Sequence, residues 1–254
     1  GLSVASRVPG ILVTRPVPQN QSTLDAIEAI GWHAYPFPTI ELKKLDTITP
    51  ETSKATLEQS DWLVFISQAA VSCFFSDFSP ADVSHLQIAA VGGATRKALH
   101  DVGVTVDACP DSATNSEALL ELESLKNVNG QKIIIVRGVG GRELLQQTLT
   151  ERGASVSYLE VYQRQIASPD RNIIRQHWDS GIDAVICTSN QLLDNYLQLV
   201  KPLIGDKVFS KPLLLISSRM QRHASRAGFS RIWLAEGPAN DQMIKTLNTH
   251  LQLD

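Results

Sequence analysis

The chain is poor in the residues that build metal sites. Its three cysteines, Cys73, Cys109 and Cys187, are far apart and show no CxxC or Cys/His ligand spacing. Its six histidines form no HxxxH or HExxH pair. No metal site is expected from such spacings. An odd number of cysteines predicts reduced, buried thiols in a cytoplasmic setting. Long apolar runs are missing too: stretches such as Leu213 to Ile216 and Ile133 to Val136 are far too short to span a bilayer. GLSVASRVPG holds no apolar signal core, so export is not expected. A net charge of −3 argues against general nucleic-acid binding. No Ser-His-Asp or Cys-His set is visible at motif level, so nucleophilic catalysis finds no support. No heptad or long apolar face demands a partner, which predicts a monomer.

With 254 residues, 43% hydrophobic and 19% charged, the chain has the makings of one large or two moderate globular domains. The short run Ile11 to Pro16, ILVTRP, reads as a buried strand ending in Arg15. It recurs 122 positions later as IIIVRG, with Arg137 for Arg15 and Gly153 for Gly31. DWLVFIS ending at Ser67 matches DAVICTS ending at Ser189 at the same offset. IAAVGG (88–93) matches LLLISS (213–218), and Gly103 and Asn115 match Gly228 and Asn240 at an offset of 125. An internal repeat of this kind outweighs any single motif in deciding the fold.

Between these landmarks lie helix-like segments. Leu24, Ile27 and Ile30 precede Gly31, a helix runs from Ala94 to Val102, and another covers Arg142 to Arg152. Asn115 opens a helix presenting Leu119, Leu122 and Leu125 on one face, and VTVDACP (104–110) reads as one more strand. HAYPFPTIEL (33–42) and SVSYLEVYQRQI (155–166) are extended, the first held out of helix by Pro36 and Pro38. Alternating strands and helices predict an α/β fold of two similar doubly wound parallel-sheet domains. Ligands of such sheets sit beyond the carboxyl ends of the strands. That is where Arg15, Ser67, Gly92, Gly93, Arg137, Ser189, Asn190, Ser217 and Ser218 fall, predicting a site in the interdomain cleft.

The chemistry offered there is cationic. Arg15 and Arg137 each suit a carboxylate held in a bidentate fork, or a structural ion pair at a strand end. Gly138, Gly140, Gly141 and Arg142 form GVGGR between a strand and a helix, a turn able to bind a carboxylate or simply to bend the chain. It is neither GxGxxG nor a P-loop, so a nucleotide enzyme is disfavoured. Ser67 and Ser189 either cap the following helices or donate to an anion.

TRP after the first strand, DWLVFIS with a following AAV, AAVGGAT, VRGVGGREL and EVYQR, taken in order, resemble uroporphyrinogen-III synthase over nearly the whole chain. The resemblance implies two α/β domains, one from residues 1–36 and 166–254, the other from 37–165, with crossings near 33–42 and 157–165. It implies closure of the linear tetrapyrrole hydroxymethylbilane to uroporphyrinogen III, with loss of water and inversion of ring D, using no metal or cofactor. Catalysis would come mainly from positioning a substrate that bears eight carboxylates. The tyrosine proposed in the family as the acid for the departing hydroxide matches Tyr162. A threonine of a late GPTTA-like turn is absent, and Ser217-Ser218-Arg219-Met220 stands in its place. The competing expectation is a non-catalytic small-anion or tetrapyrrole sensor of the same fold.

Overall fold

A computed structural model describes residues 7–46 and 50–251. The described strands are β1 (Gly10–Val13), β2 (His33–Pro36), β3 (Ile40–Lys44), β4 (Trp62–Phe65), β5 (Gln87–Ala90), β6 (Lys132–Gly138), β7 (Ser155–Ile166), β8 (Ala184–Ile186), β9 (Leu213–Leu215) and β10 (Ile232–Leu234). The described helices are α1 (Asn20–Ala29), α2 (Pro50–Glu58), α3 (Gln68–Phe74), α4 (Gly93–Asp101), α5 (Ser116–Leu120), α6 (Leu144–Glu151), α7 (Asn172–His177), α8 (Asn190–Ile204), α9 (Ser218–Ala227) and α10 (Asn240–His250). The chain divides into two compact units, Gly1–Glu41 with Gln165–Asp254, and Leu42–Arg164. It passes from one to the other within β3 and returns near the end of β7.

The first unit carries a parallel sheet of order β10-β9-β8-β1-β2. Its central strands are short and wholly buried because helices cover both faces. Alternation sorts their side chains. Ile11, Val13, Ala184, Ile186 and Leu214 pack with Ile27, Met243 and Leu247 on one face. Leu12, Val185, Leu213 and Leu215 pack with Trp178, Tyr196 and Phe229 on the other. In chain order the strands lie 2-1-3-4-5, so connections leave β1 and β8 in opposite directions. The gap between those two strands is the topological switch point.

The second unit has the order β3-β7-β6-β4-β5. Here β6 and β7 stand where β1 and β2 stand in the first unit, and β4 and β5 where β8 and β9 do. These four strands repeat the first unit's arrangement with its two halves permuted and a switch point between β6 and β4, while β3 is an added edge strand antiparallel to β7 and β10 has no strand counterpart among the described residues. This explains the 122-residue echo: the matched strands ILV and IIIV occupy equivalent central places in different units. The matched glycines also agree, Gly31 and Gly153 ending helices at φ +84° and +92°, a backbone region that favours glycine.

Three expectations about single elements fail. VTVDACP makes only an isolated bridge between Ala108 and Ala89; the Asp107 carboxylate accepts from the Ile88 N–H at 2.8 Å, and Pro110 follows, so no ladder develops. The helix capped by Asn115 stops at Leu120, and a separate 3-10 turn, Glu123–Leu125, delivers Leu125 to the core. The helix expected from Arg142 begins at Leu144, after positive-φ backbone at Gly140 and Gly141.

Candidate functional site

In the second unit the switch point is shaped by an irregularity in β7. Arg137 pairs with Glu160, but Gly138 pairs with Tyr162, so one residue is skipped. Such a bulge re-aims the side chains beyond it. Tyr158 packs on the face of Trp62 and Ile133. Strict alternation would send Tyr162 there too. After the bulge, Val161 and Tyr162 both join the opposite face, with Phe65, Phe74 and Val136. Gly138 makes room for the ring: a Cβ built there would lie 2.3 Å from Tyr162 Cε2.

The Tyr162 hydroxyl is thereby brought to the carboxyl end of β4. It lies 3.1 Å from Ser67 Oγ, either atom able to donate. Ser67 is the N-cap of α3, its Oγ accepting from Ala70 N at 3.0 Å. Three sequence candidates, Ser67, Gly138 and Tyr162, are therefore in one cluster. Tyr162 is buried, at 4% exposure, and only its hydroxyl end is polar among the rings around it.

Arg137 is also buried, with its own partners. Its Nη2 lies 3.2 Å from Glu143 and 3.7 Å from Glu160, and its guanidinium sits 3.5 Å over the Tyr158 ring. Its Nε is buried without a hydrogen-bond partner among the described residues. The Tyr158 hydroxyl donates to Glu143. That bond, then Arg137, holds the Glu143 carboxyl below its usual range. Burial first, and the bond to Glu143 next, push the Tyr158 phenol up to about 12. Glu160 also accepts from Gly140 N at 3.4 Å, so this group fastens the glycine turn to β7. Arg142 is exposed and paired with Glu117, outside the cluster. Gly92, the N-cap of α4, lies under the side chain of Thr114, 2.4 Å from a would-be Cβ, whereas Gly93 opens α4 with free space around it.

In the first unit Arg15 follows β1 at the other switch point. It is half-buried, donates to Thr23 Oγ1 at 3.1 Å, and has no carboxylate partner among the described residues. Burial lowers its pKa from the ordinary arginine value. Buried Thr23 in turn donates to Asn240 Oδ1 at 2.8 Å. Thr14 donates to the Ile186 carbonyl at 2.7 Å, tying β1 to β8. Ser189 caps α8 by accepting from Leu192 N, and Ser217 caps α9 by accepting from Met220 N. Asn190 Oδ1 is buried and has no hydrogen-bond partner among the described residues. Ser218, the first residue of α9, is exposed. Cys187 is fully buried, its thiol pushed up to about 12, which leaves it without thiolate character. Among the described residues no group of three or more His, Cys, Asp or Glu is placed to hold a metal ion.

The family model for uroporphyrinogen-III synthase HemD matches residues 21–245. The chain belongs to the uroporphyrinogen-III synthase family. It is 33% identical to a uroporphyrinogen-III synthase of Salmonella typhimurium over 93% of this chain and 99% of that one. The corresponding figures for the Escherichia coli protein of that name are 32%, 93% and 99%. A uroporphyrinogen-III synthetase structure from Helicobacter pylori superposes with a TM-score of 0.61 at 13% identity, covering 96% of this chain and all of that one. A mutant uroporphyrinogen III synthase from Thermus thermophilus gives 0.54 at 15%, covering 97% and all. These two likenesses concern the fold.

Within this uroporphyrinogen-III synthase fold, several site neighbours escaped the sequence reading. Thr14, Glu143 and Glu160 stand inside the stretches TRP, VRGVGGREL and EVYQR without being singled out there, and Thr23 lies in no motif. Thr14 had a signal, as a polar residue closing the apolar run of β1. Glu160 had one too, lying two positions before Tyr162 in a strand otherwise rich in apolar residues. Glu143 shares VRGVGGREL with Arg137, but nothing in the letters shows that the turn folds back to pair them, and Thr23 had no signal.

Proposed function

We propose that this chain closes hydroxymethylbilane to uroporphyrinogen III, with loss of water and inversion of ring D, in the tetrapyrrole pathway leading to haem. One observation carries the reading: identity of about a third, nearly end to end on both sides, with proteins named for that reaction. No observation favours a non-catalytic sensor. Among the described residues no helix is long and apolar enough to cross a membrane. We place the enzyme in the cytoplasm, acting as a monomer.

The residues divide the work as follows. Each unit offers donors at the carboxyl ends of its strands for a substrate rich in carboxylates. In the first unit these are Arg15, the N-terminal turns behind Ser189 and Ser217, and Ser218. In the second they are the turn behind Ser67, Gly92 and Gly93, the Gly138 turn and Arg142, with Arg137 behind that turn. Helix N-terminal amides and arginine forks are the ordinary means of holding such anions. Asn190 Oδ1, buried and unpartnered, is an acceptor for a pyrrole N–H. Fixing the chain in a near-attack geometry is the main contribution to rate, because closure at the substituted carbon of ring D is a matter of approach.

Tyr162 is the acid. Its O–H gives a proton to the departing hydroxyl as the pyrrole breaks the C–O bond, and water leaves with an azafulvenium cation behind, its charge balanced by the phenolate. Ser67 Oγ–H donates to the phenolate so formed. The substituted carbon of ring D attacks, and the spiro intermediate opens and recloses. The proton lost when the ring regains aromaticity returns to Tyr162. Tyr158 is the poorer acid, because its proton is engaged by Glu143. Incubation with hydroxymethylbilane, oxidation and separation of isomers tests the reading: type III is expected, and type I alone from folded protein refutes it.

A further inference from the structure

Helix α9 carries three arginines, Arg219, Arg222 and Arg226, and no acidic residue. All three are exposed. Among the described residues none of their side chains has a hydrogen bond or ion pair; the one pair on this helix joins His223 to Asp194 at 2.6 Å, and eleven others lie elsewhere in the described structure. Their spacing, i, i+3 and i+7, puts them within about 60° of one another around the helix. Met220 and Ala224 occupy the buried side. The stripe starts beside the Ser217 cap, at the carboxyl end of β9, and runs from there toward the other end of the sheet.

The internal repeat supplies a control. At the offset of 125 that relates Gly228 to Gly103, Arg222 and Arg226 correspond to Lys97 and Asp101 of α4. There the two positions neutralise each other, Lys97 Nζ lying 2.9 Å from Asp101. The unpaired stripe is therefore not something the shared helix position requires. It stands on a chain whose net charge is −3, which would otherwise repel a polyanion.

We propose that Arg222 and Arg226 form a capture track that draws a linear polycarboxylate out of solution and along α9 to Arg219 and the Ser217 turn. This rests on the synthase reading and extends it, since the substrate with eight carboxylates matches a row of cations about 5 Å apart along the helix axis. The track acts on encounter and leaves the chemical step alone. Local fields of this kind raise association rates about 10- to 1000-fold for a whole site, and screening by salt removes them.

The test compares wild type, Arg222→Gln/Arg226→Gln and, as a control, Lys97→Gln, using free hydroxymethylbilane. At an ionic strength of about 0.01 M, where charges act over about 30 Å, the double variant should lose about three- to tenfold in kcat/KM with kcat unchanged. At about 1 M the difference should vanish, and the control should match wild type at both. An unchanged kcat/KM at low salt overturns the proposal. So does an equal loss at both salts, or a loss confined to bilane delivered by the enzyme that makes it, which would mark a protein-docking face. Uroporphyrin binding read by fluorescence gives the same comparison without turnover. Failure of the track and failure of the synthase reading are then separate results.

Discussion

Tyr162 and Gly138 share a space that only a residue without a side chain leaves open. The bulge in β7 sets them opposite each other, and the ring lies where a Cβ of residue 138 would be. Packing in the second unit and the placement of its candidate acid therefore depend on one contact.

Gly138→Ala tests that contact. The methyl has no free volume, so either the ring or β6 moves, and overpacking of this sort costs about 1–3 kcal/mol. Urea unfolding should show the loss. In a Tyr162→Leu background the same substitution should cost less, and the difference is the coupling energy of the pair. Additive costs would mean that ring and backbone do not compete for this space.

The two arginines of the repeat should behave differently despite their matched positions. Arg15 has no carboxylate partner among the described residues, so Arg15→Gln should raise KM about 10- to 100-fold, the worth of a charge-assisted hydrogen bond, with little change in stability. Arg137 is buried against Glu143, Glu160 and Tyr158. Arg137→Gln should lower the unfolding midpoint before any change in substrate affinity is read. Equal effects on stability would remove this distinction.

That distinction marks the limit of what the sequence shows. The repeat was legible because apolar strands, their terminal residues and helix-ending glycines recur at fixed offsets. The α/β class followed, and so did the extended run of β7. Arg15 and Arg137 look alike as letters, yet burial and neighbours from remote positions separate them. The bulge at Val161 was invisible, since apolar residues suit either face of a covered sheet. The bridge at Ala108 was overread as a strand because the Asp107 side chain, and not the backbone alone, satisfies the edge.

Tyr158 offers a pH test. Its phenol is raised from 10.0 to about 12 in the folded protein. A raised value means that the folded state holds the proton more tightly, so the stabilisation is complete below pH 10 and is lost as pH rises through about 12. Absorbance titration should show a tyrosine ionising near pH 12 that is lost in Tyr158→Phe, distinct from Tyr196, whose phenol full burial also pushes well above its ordinary value. The variant should lose less stability than wild type between those two pH values. Ionisation of Tyr158 near pH 10 would show that neither its burial nor its bond to Glu143 holds in solution.

Ser67 holds two roles that substitution can part. Ser67→Ala removes a helix cap worth about 1 kcal/mol and a partner of the Tyr162 hydroxyl. Ser67→Asp restores the cap but supplies no donor to a phenolate. Stability should recover in Ser67→Asp while turnover stays low. Recovery of both would confine Ser67 to capping.

The most direct measurement is the rate at which Tyr162→Phe forms the type III isomer from hydroxymethylbilane in a single turnover. Loss of the acid should slow closure about 10²- to 10⁴-fold, with the fold intact and type III still the enzymatic product. A wild-type rate would contradict the account, leaving Tyr162 as a packed ring beneath Gly138 and the proton to come from elsewhere.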